Sequence, residues 1–224
     1  MPSASTPTGY SSTTLVKATA SVLVLGVADD KVLGLETAKS ARTALEDVAR
    51  AIEFSGKAGS TARVAAPKGF SATSILLVGL GDFDATARGT DAAAKSHEVL
   101  RRAAGNALRA LDGVDSIAVG LPALSAEAIE AVTVGAALGA YRFIDYRSED
   151  SDKVPGTVTI LGPKSKEHSA AHATGAIIAA ATNRARDLVN TPPLDLYPES
   201  FAQRVKDQGK ERKLKVSVLG EKEL

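Results

Sequence analysis

The sequence predicts an α/β domain, with a mostly parallel or mixed sheet and helices on both faces. Short runs of Val, Ile and Leu alternate with longer segments whose apolar residues recur every three or four positions. The β-rich runs lack the polar alternation of a half-exposed strand, as expected where helices cover both faces of a sheet. Composition agrees. The chain has 224 residues, 24% charged and 44% hydrophobic, which is ordinary for a soluble globular protein. A chain of this size can bury roughly 70% of its unfolded surface, so a real core is possible.

Residues 1–14 read MPSASTPTGYSSTT. They carry no charge and are mostly Ser, Thr and Pro, which predicts a disordered leader. Clear strand runs follow at Ser21–Val27, Ser74–Leu80, Ser116–Leu121, Thr157–Leu161 and Lys215–Leu219, with weaker ones at Thr14–Ala20 and Thr61–Ala66. A first helix starts near Glu36, where Ala41, Leu45, Val48 and Ile52 share one face and Gly56 is placed to stop it. A second covers Asp91–Leu111, with a stripe of Leu100, Ala104, Ala107, Leu108 and Leu111. Ser125 caps a third, which carries Ile129, Val132, Ala136 and Ala140 on one face. A fourth runs from about Ser169 to Val189. Pro192-Pro193 ends it by removing two N–H donors and pushing Thr191 out of the helical region. Pro198 then opens a fifth helix, to Glu211, which leads into the strand at Lys215–Leu219. No internal repeat is visible.

Lys+Arg is 27 and Asp+Glu is 26, a net charge of +1. That balance argues against a polybasic protein held to phosphates by charge. There is no Cys, so disulfides, thiolate metal sites and a cysteine nucleophile are excluded. The apolar stretches are far shorter than the ~20 residues of a membrane span. No signal peptide or lipid anchor is recognisable, and a cytoplasmic protein is the default.

Several residues could carry chemistry. Gly79-Leu80-Gly81-Asp82 is a strand running into a Gly-x-Gly turn, where backbone can approach a phosphate. A full GxGxxG needs Gly at position 84, which is Asp84, so a structural turn is the favoured reading. His168 and His172 stand one helical turn apart, a metal-sharing spacing, but no third ligand accompanies them. His97 is alone. Asp82 and Asp84 pair beyond a strand without completing a cation site. Ser74 and Ser96 lack a GxSxG context. Residues 201–215 carry Arg204, Lys206, Lys210, Arg212, Lys213 and Lys215 against Asp207 and Glu211, which reads as a solvated helix face before a DNA grip. Residue chemistry alone therefore assigns no catalytic, cofactor-binding or metal residue.

Two stretches do resemble a known family. One is Gly135-Ala136-Ala137-Leu138-Gly139-Ala140-Tyr141-Arg142-Phe143. The other is Ala185-Arg186-Asp187-Leu188-Val189-Asn190-Thr191-Pro192-Pro193, continued by Leu194-Asp195-Leu196-Tyr197-Pro198-Glu199-Ser200-Phe201-Ala202. Together they resemble the leucyl aminopeptidase family of two-metal exopeptidases. The resemblance is strong over about 135–203 and weaker over about 15–134.

The resemblance implies a macro-domain-like mixed sheet sandwiched by helices over 15–168. It implies an interdomain helix and Pro-Pro break over 169–193, and the truncated start of a catalytic domain over 194–224. Family members release N-terminal residues such as Leu from peptides. They use two divalent metals, Zn or Mn, which activate water and polarise the scissile carbonyl. They are typically hexamers. The family's metal-binding Lys–Asp segment and its Asn-Thr-Asp-Ala-Glu-Gly-Arg motif match no stretch here, so no catalytic or metal residue is carried over. The expectation is a non-catalytic N-terminal domain, inactive alone, whose partners are its own catalytic domain and further copies of itself. The alternative is a macro-like module binding ADP-ribose, another nucleotide or DNA, resting on Gly79–Asp82 and on Arg204–Lys215.

Overall fold

The computed structural model describes residues 6–34, 38–87, 89–146 and 154–223. It divides into two compact units, residues 1–183 and 184–224. The first unit holds strands β1 (Thr8–Ser11), β2 (Val22–Ala28), β3 (Lys31–Val32), β4 (Thr61–Ala65), β5 (Ser74–Gly79), β6 (Ser116–Gly120) and β7 (Thr157–Leu161). It also holds a 3-10 turn at Leu15–Lys17 and helices α1 (Lys39–Ala51), α2 (Thr90–Arg109) and α3 (Ala126–Gly139). Helix α4 (Lys166–Asn190) runs across the division, and α5 (Pro198–Glu211) lies in the second unit.

The strands form one mixed sheet in the order β1-β7-β6-β2-β5-β4. β1, β7, β6, β2 and β5 are mutually parallel, while β4 pairs antiparallel with β5. β3 folds back on the end of β2. Its two-residue turn, Asp29-Asp30, has positive φ at both positions (47° and 57°), the twist that suits a tight hairpin.

Alternation along the strands sorts the core into two layers. Val22, Val24, Val78, Ile117 and Ile160 face α2 and α3, where Leu100, Leu108, Ile129 and Val132 cover them. Leu23, Leu25, Val27, Ile75 and Leu77 face the other way, onto Leu45 and Ala49 of α1. Each fully buried Leu or Ile contributes roughly 1.5–3 kcal/mol. Both faces are covered, and this is why β2 and β5 read as unbroken apolar runs.

Helices α2 and α3 cross at glycines. A Cβ at Gly135 would overlap the Arg101 carbonyl, and one at Gly139 would sit 2.8 Å from Gly105 Cα. Helix α4 touches α3 the same way, with Gly175 against Thr133 and the Glu130 carbonyl. Asn183 Nδ2 donates to the Ala137 carbonyl (3.3 Å).

Several sequence expectations need correction. Thr8–Ser11 is not disordered. It is the outermost strand, in parallel register with Val158–Leu161. Its own apolar content is slight, and β7 supplies the hydrogen bonds that order it; residues 1–5 lie outside the described ones. Thr14–Ala20 is not a strand, because Leu15–Lys17 turns as 3-10 and Val16 O accepts from Ser71 N instead of a ladder partner. The buried face of α1 is Ala41, Leu45 and Ala49. Ile52 is 45% exposed, since the helix ends at Ala51 and turns it outward; the expected start at Glu36 lies outside the described residues. Gly56 is not the stop. At φ 78° its position lies against the Val27 carbonyl, where a Cβ would not fit.

In the second unit, Lys215–Leu219 is not a strand and has no ladder partner among the described residues. The chain instead turns back after α5, with Lys213 at φ 57° and Leu214 N donating to Gly209 O (2.8 Å). Val216 packs on Gly209. This closing turn is the usual helix C-terminal motif with a residue in the left-handed region.

Candidate functional site

In an open α/β sheet, ligands bind beyond the carboxyl ends of strands where the strand order reverses. Here the chain steps from β2 to β5 on one side, then to β6 and β7 on the other, so the reversal lies beside β2. A cavity of ≈ 260 Å³ opens at that place, lined by Thr13, Leu15, Gly34, Leu121, Ala123 and Gly162 among others. No described lining residue is charged. Leu15, from the 3-10 turn, packs so closely on Gly34 and Gly120 that a Cβ at either would collide with its methyls. The crevice is thus partly filled by the chain itself and offers no cation to a phosphate.

The Gly-x-Gly turn is filled as well. A Cβ at Gly79 would lie 2.7 Å from Gly56 C, and one at Gly81 2.9 Å from Ala58 Cβ. Gly81 N donates to Gly56 O (2.9 Å) and Gly79 N to Ser60 O (2.8 Å). These glycines admit the loop at 56–60, where a nucleotide loop would admit phosphate.

The candidate metal residues do not converge. His168 Nδ1 lies 2.5 Å from Ser165 Oγ and its Nε2 3.0 Å from Leu124 O. His172 turns elsewhere, with Nε2 3.2 Å from Thr8 Oγ1 and its ring 5.6 Å from that of Tyr10. His97 Nε2 lies 3.4 Å from Ser125 Oγ, the N-cap of α3. Glu127, near His97 and His168, is held below the ordinary carboxylate range chiefly by its own backbone N–H and by the Ser125 hydroxyl. Asp84 accepts from Thr86 N and Thr86 Oγ1, both at 2.7 Å, which lowers its carboxyl's pKa. Ser96 Oγ donates to Asp84 O (2.9 Å). Ser74 is buried, donating to Ser21 O (2.9 Å) and accepting from Arg63 Nε (3.1 Å). Among the described residues no three His, Asp or Glu side chains gather as a metal site. The described residues do not fit a two-metal centre.

Sequence reasoning picked out Gly135–Phe143 as a family motif but gave Arg142 no role of its own. Arg142 Nη1 donates to Gly139 O (2.8 Å) and Tyr141 O (2.9 Å). Its Nη2 reaches Leu108 O (3.4 Å), and Asp112 accepts from Nε and Nη2 at 3.0 and 2.5 Å. One guanidinium thereby closes the C-terminal ends of both α2 and α3. The Gly135-x-x-x-Gly139 spacing was the available signal for the close crossing.

The second unit carries a different feature. Val189 is 83% and Leu194 89% exposed, and Tyr197, Phe201, Leu214 and Leu219 are exposed too. Several large apolar side chains are therefore exposed over this short segment. The basic side chains between Arg204 and Lys215 are also exposed. No described helix is long and apolar enough to cross a membrane.

These features define an open mixed α/β domain, helix-covered on both faces, followed by a short segment with an uncovered apolar surface. The model of the cytosol aminopeptidase family, N-terminal domain, matches residues 24–150. A probable cytosol aminopeptidase of Streptomyces griseus is 40% identical over 185 residues, which is 75% of this chain and 35% of that protein. The chain belongs to the cytosol aminopeptidase family. It spans 35–41% of the length of the curated relatives it matches.

Among solved structures, the bottromycin maturation enzyme BotP is 27% identical, with a TM-score of 0.65 over 88% of this chain and 38% of its own. BotP has also been solved in complex with Mn. A tomato leucine aminopeptidase mutant covers 97% of this chain and 45% of its own at TM-score 0.72; at 23% identity that likeness is one of fold.

Proposed function

We propose that this chain is the non-catalytic N-terminal domain of a metalloexopeptidase that releases N-terminal residues, leucine among them, from peptides. The observation that carries the reading is the match of residues 24–150 to the N-terminal domain of the family. Residues 15–168 are then a macro-like domain, 169–193 the interdomain helix with its Pro-Pro break, and 194–224 the start of the catalytic domain. The rest of that catalytic domain is the partner for the exposed apolar residues between Val189 and Leu219. The first unit positions it, contributes contacts to a homo-oligomer, a hexamer in this reading, and restricts access to its site. The two divalent metals, Zn or Mn, belong wholly to that other domain. The names of the relatives support a cytosolic location.

The test has two arms. Alone, the chain should not turn over a leucyl chromogenic substrate with added zinc or manganese, because its described residues bring no metal-ligand set together. Fused through residue 203 to the remainder of the Streptomyces griseus relative, it should give a metal-dependent aminopeptidase. Metal-dependent turnover by the chain alone, or a folded but inactive fusion, overturns the reading.

A further inference from the structure

The outermost strand, β1, is held by few side chains. Thr6 Oγ1 donates to Pro155 O (2.6 Å) and Tyr10 Oη to Pro163 O (2.6 Å). The remaining tether comes from α4. There the half-buried His172 places Nε2 3.2 Å from Thr8 Oγ1 and stacks, tilted by 38°, beside the Tyr10 ring. Of the side chains in these tethers, the imidazole alone titrates near neutrality.

We propose that His172 makes the docking of β1 pH-sensitive: proton uptake by its imidazole frees Thr8–Ser11 from the edge of β7. A positive charge gained by the half-buried ring would be held out of full contact with water. Burial holds the imidazole below its ordinary range, with Thr8 opposing in part. No charged side chain among the described residues offsets this. Tyr10 on β1 is neutral, and its own ionisation is pushed higher by burial. His168, one turn earlier on α4, is engaged by Ser165 and Leu124, and Glu127 of α3 interacts with His97 and His168. Lys164 and Lys166 line a cavity with Tyr10 and add positive charge beside the strand.

The sign follows. With the strand docked, His172 binds protons less readily than with the strand open. Docking is therefore at full strength above the imidazole's ordinary value of ~6.5 and weakens as pH falls below it. Release would bare the β7 edge, a ready template for another strand.

Hydrogen exchange on the intact chain reads this directly. With intrinsic rates removed, local opening of β1 should rise about threefold or more between about pH 7.5 and about pH 5.5, while β5 stays protected. His172→Gln, which keeps a polar partner for Thr8 but cannot titrate, should leave β1 docked and abolish the pH response. An unchanged response in that variant, or none in the wild type, overturns the proposal. Should the variant loosen β1 at both pH values, an NMR titration of the wild-type His172 ring decides: protonation at or above the ordinary value overturns it.

Discussion

Replacing Gly135 by Ala tests the closest packing in the first unit. In an isolated helix this change would help, since Ala is better than Gly by about 1 kcal/mol. Here the new Cβ would stand 2.8 Å from Arg101 C and 3.0 Å from Arg101 Cα, with the carbonyl oxygen closer still. Carbon atoms rest comfortably about 3.5–4.0 Å apart. Helices α2 and α3 must therefore part by about 1 Å, and both sides of the clash are backbone, which cannot rotate away. Parting them also loosens Ala104, Leu108, Val132 and Ala136, all buried nearby. Overpacking of this kind costs about 1–3 kcal/mol or more. Taking the upper end and subtracting the helix gain leaves a net loss of about 2 kcal/mol. For a domain of this size that lowers Tm by about 4–8 °C. Urea unfolding followed by circular dichroism should show a lower midpoint at unchanged m. A Tm equal to or above the wild type would mean that the two helices are not in backbone contact at Gly135.

Arg142→Lys should destabilise the first unit by about 1.5–3 kcal/mol, because one ammonium cannot cap two helix ends and grip Asp112 together. Asp112→Asn should cost less than about 1 kcal/mol, since Asp112 is largely exposed; urea midpoints of both variants check the order. Glu98 is held at about 2, chiefly by the Arg101 guanidinium. Its contribution to stability is present above the ordinary carboxylate range and is lost as pH falls toward 2. The Tm gap between wild type and Glu98→Gln should therefore close on acidification, and a gap that widens would refute the pairing. Brief trypsin treatment should cut first among Arg204, Lys206, Lys210, Arg212, Lys213 and Lys215, all exposed. Mass spectrometry showing earlier cuts at Arg42–Lys68 would place the weak point in the first unit.

The local signals were legible wherever one residue type dictates one conformation. Ser125 caps α3 as expected, its Oγ accepting from Ala128 N. The proline pair ends α4, and Pro198 opens α5. The runs at Ser74 and Thr157 became β5 and β7 because Val, Ile and Leu in both directions fit a sheet covered twice. The family, too, could be read from motif, since an ordered string of residues survives without coordinates.

What tertiary structure decided was everything that depends on a distant neighbour. Thr8–Ser11 has almost nothing apolar to bury, and it becomes a strand because β7 offers an open edge. Lys215–Leu219 has the better strand composition, yet it pairs with no strand among the described residues. Gly79 and Gly81 fit a phosphate loop or a tight turn equally well by sequence; the loop at 56–60 takes the space. His168 and His172, one turn apart on a helix, are drawn in separate directions by Leu124 and Thr8. Arg142 is an unremarkable cation until two helix ends, 33 and 3 residues away, converge on it. A strand, a close approach and a shared cap each need a second partner, and chain order does not say which partner folding will bring.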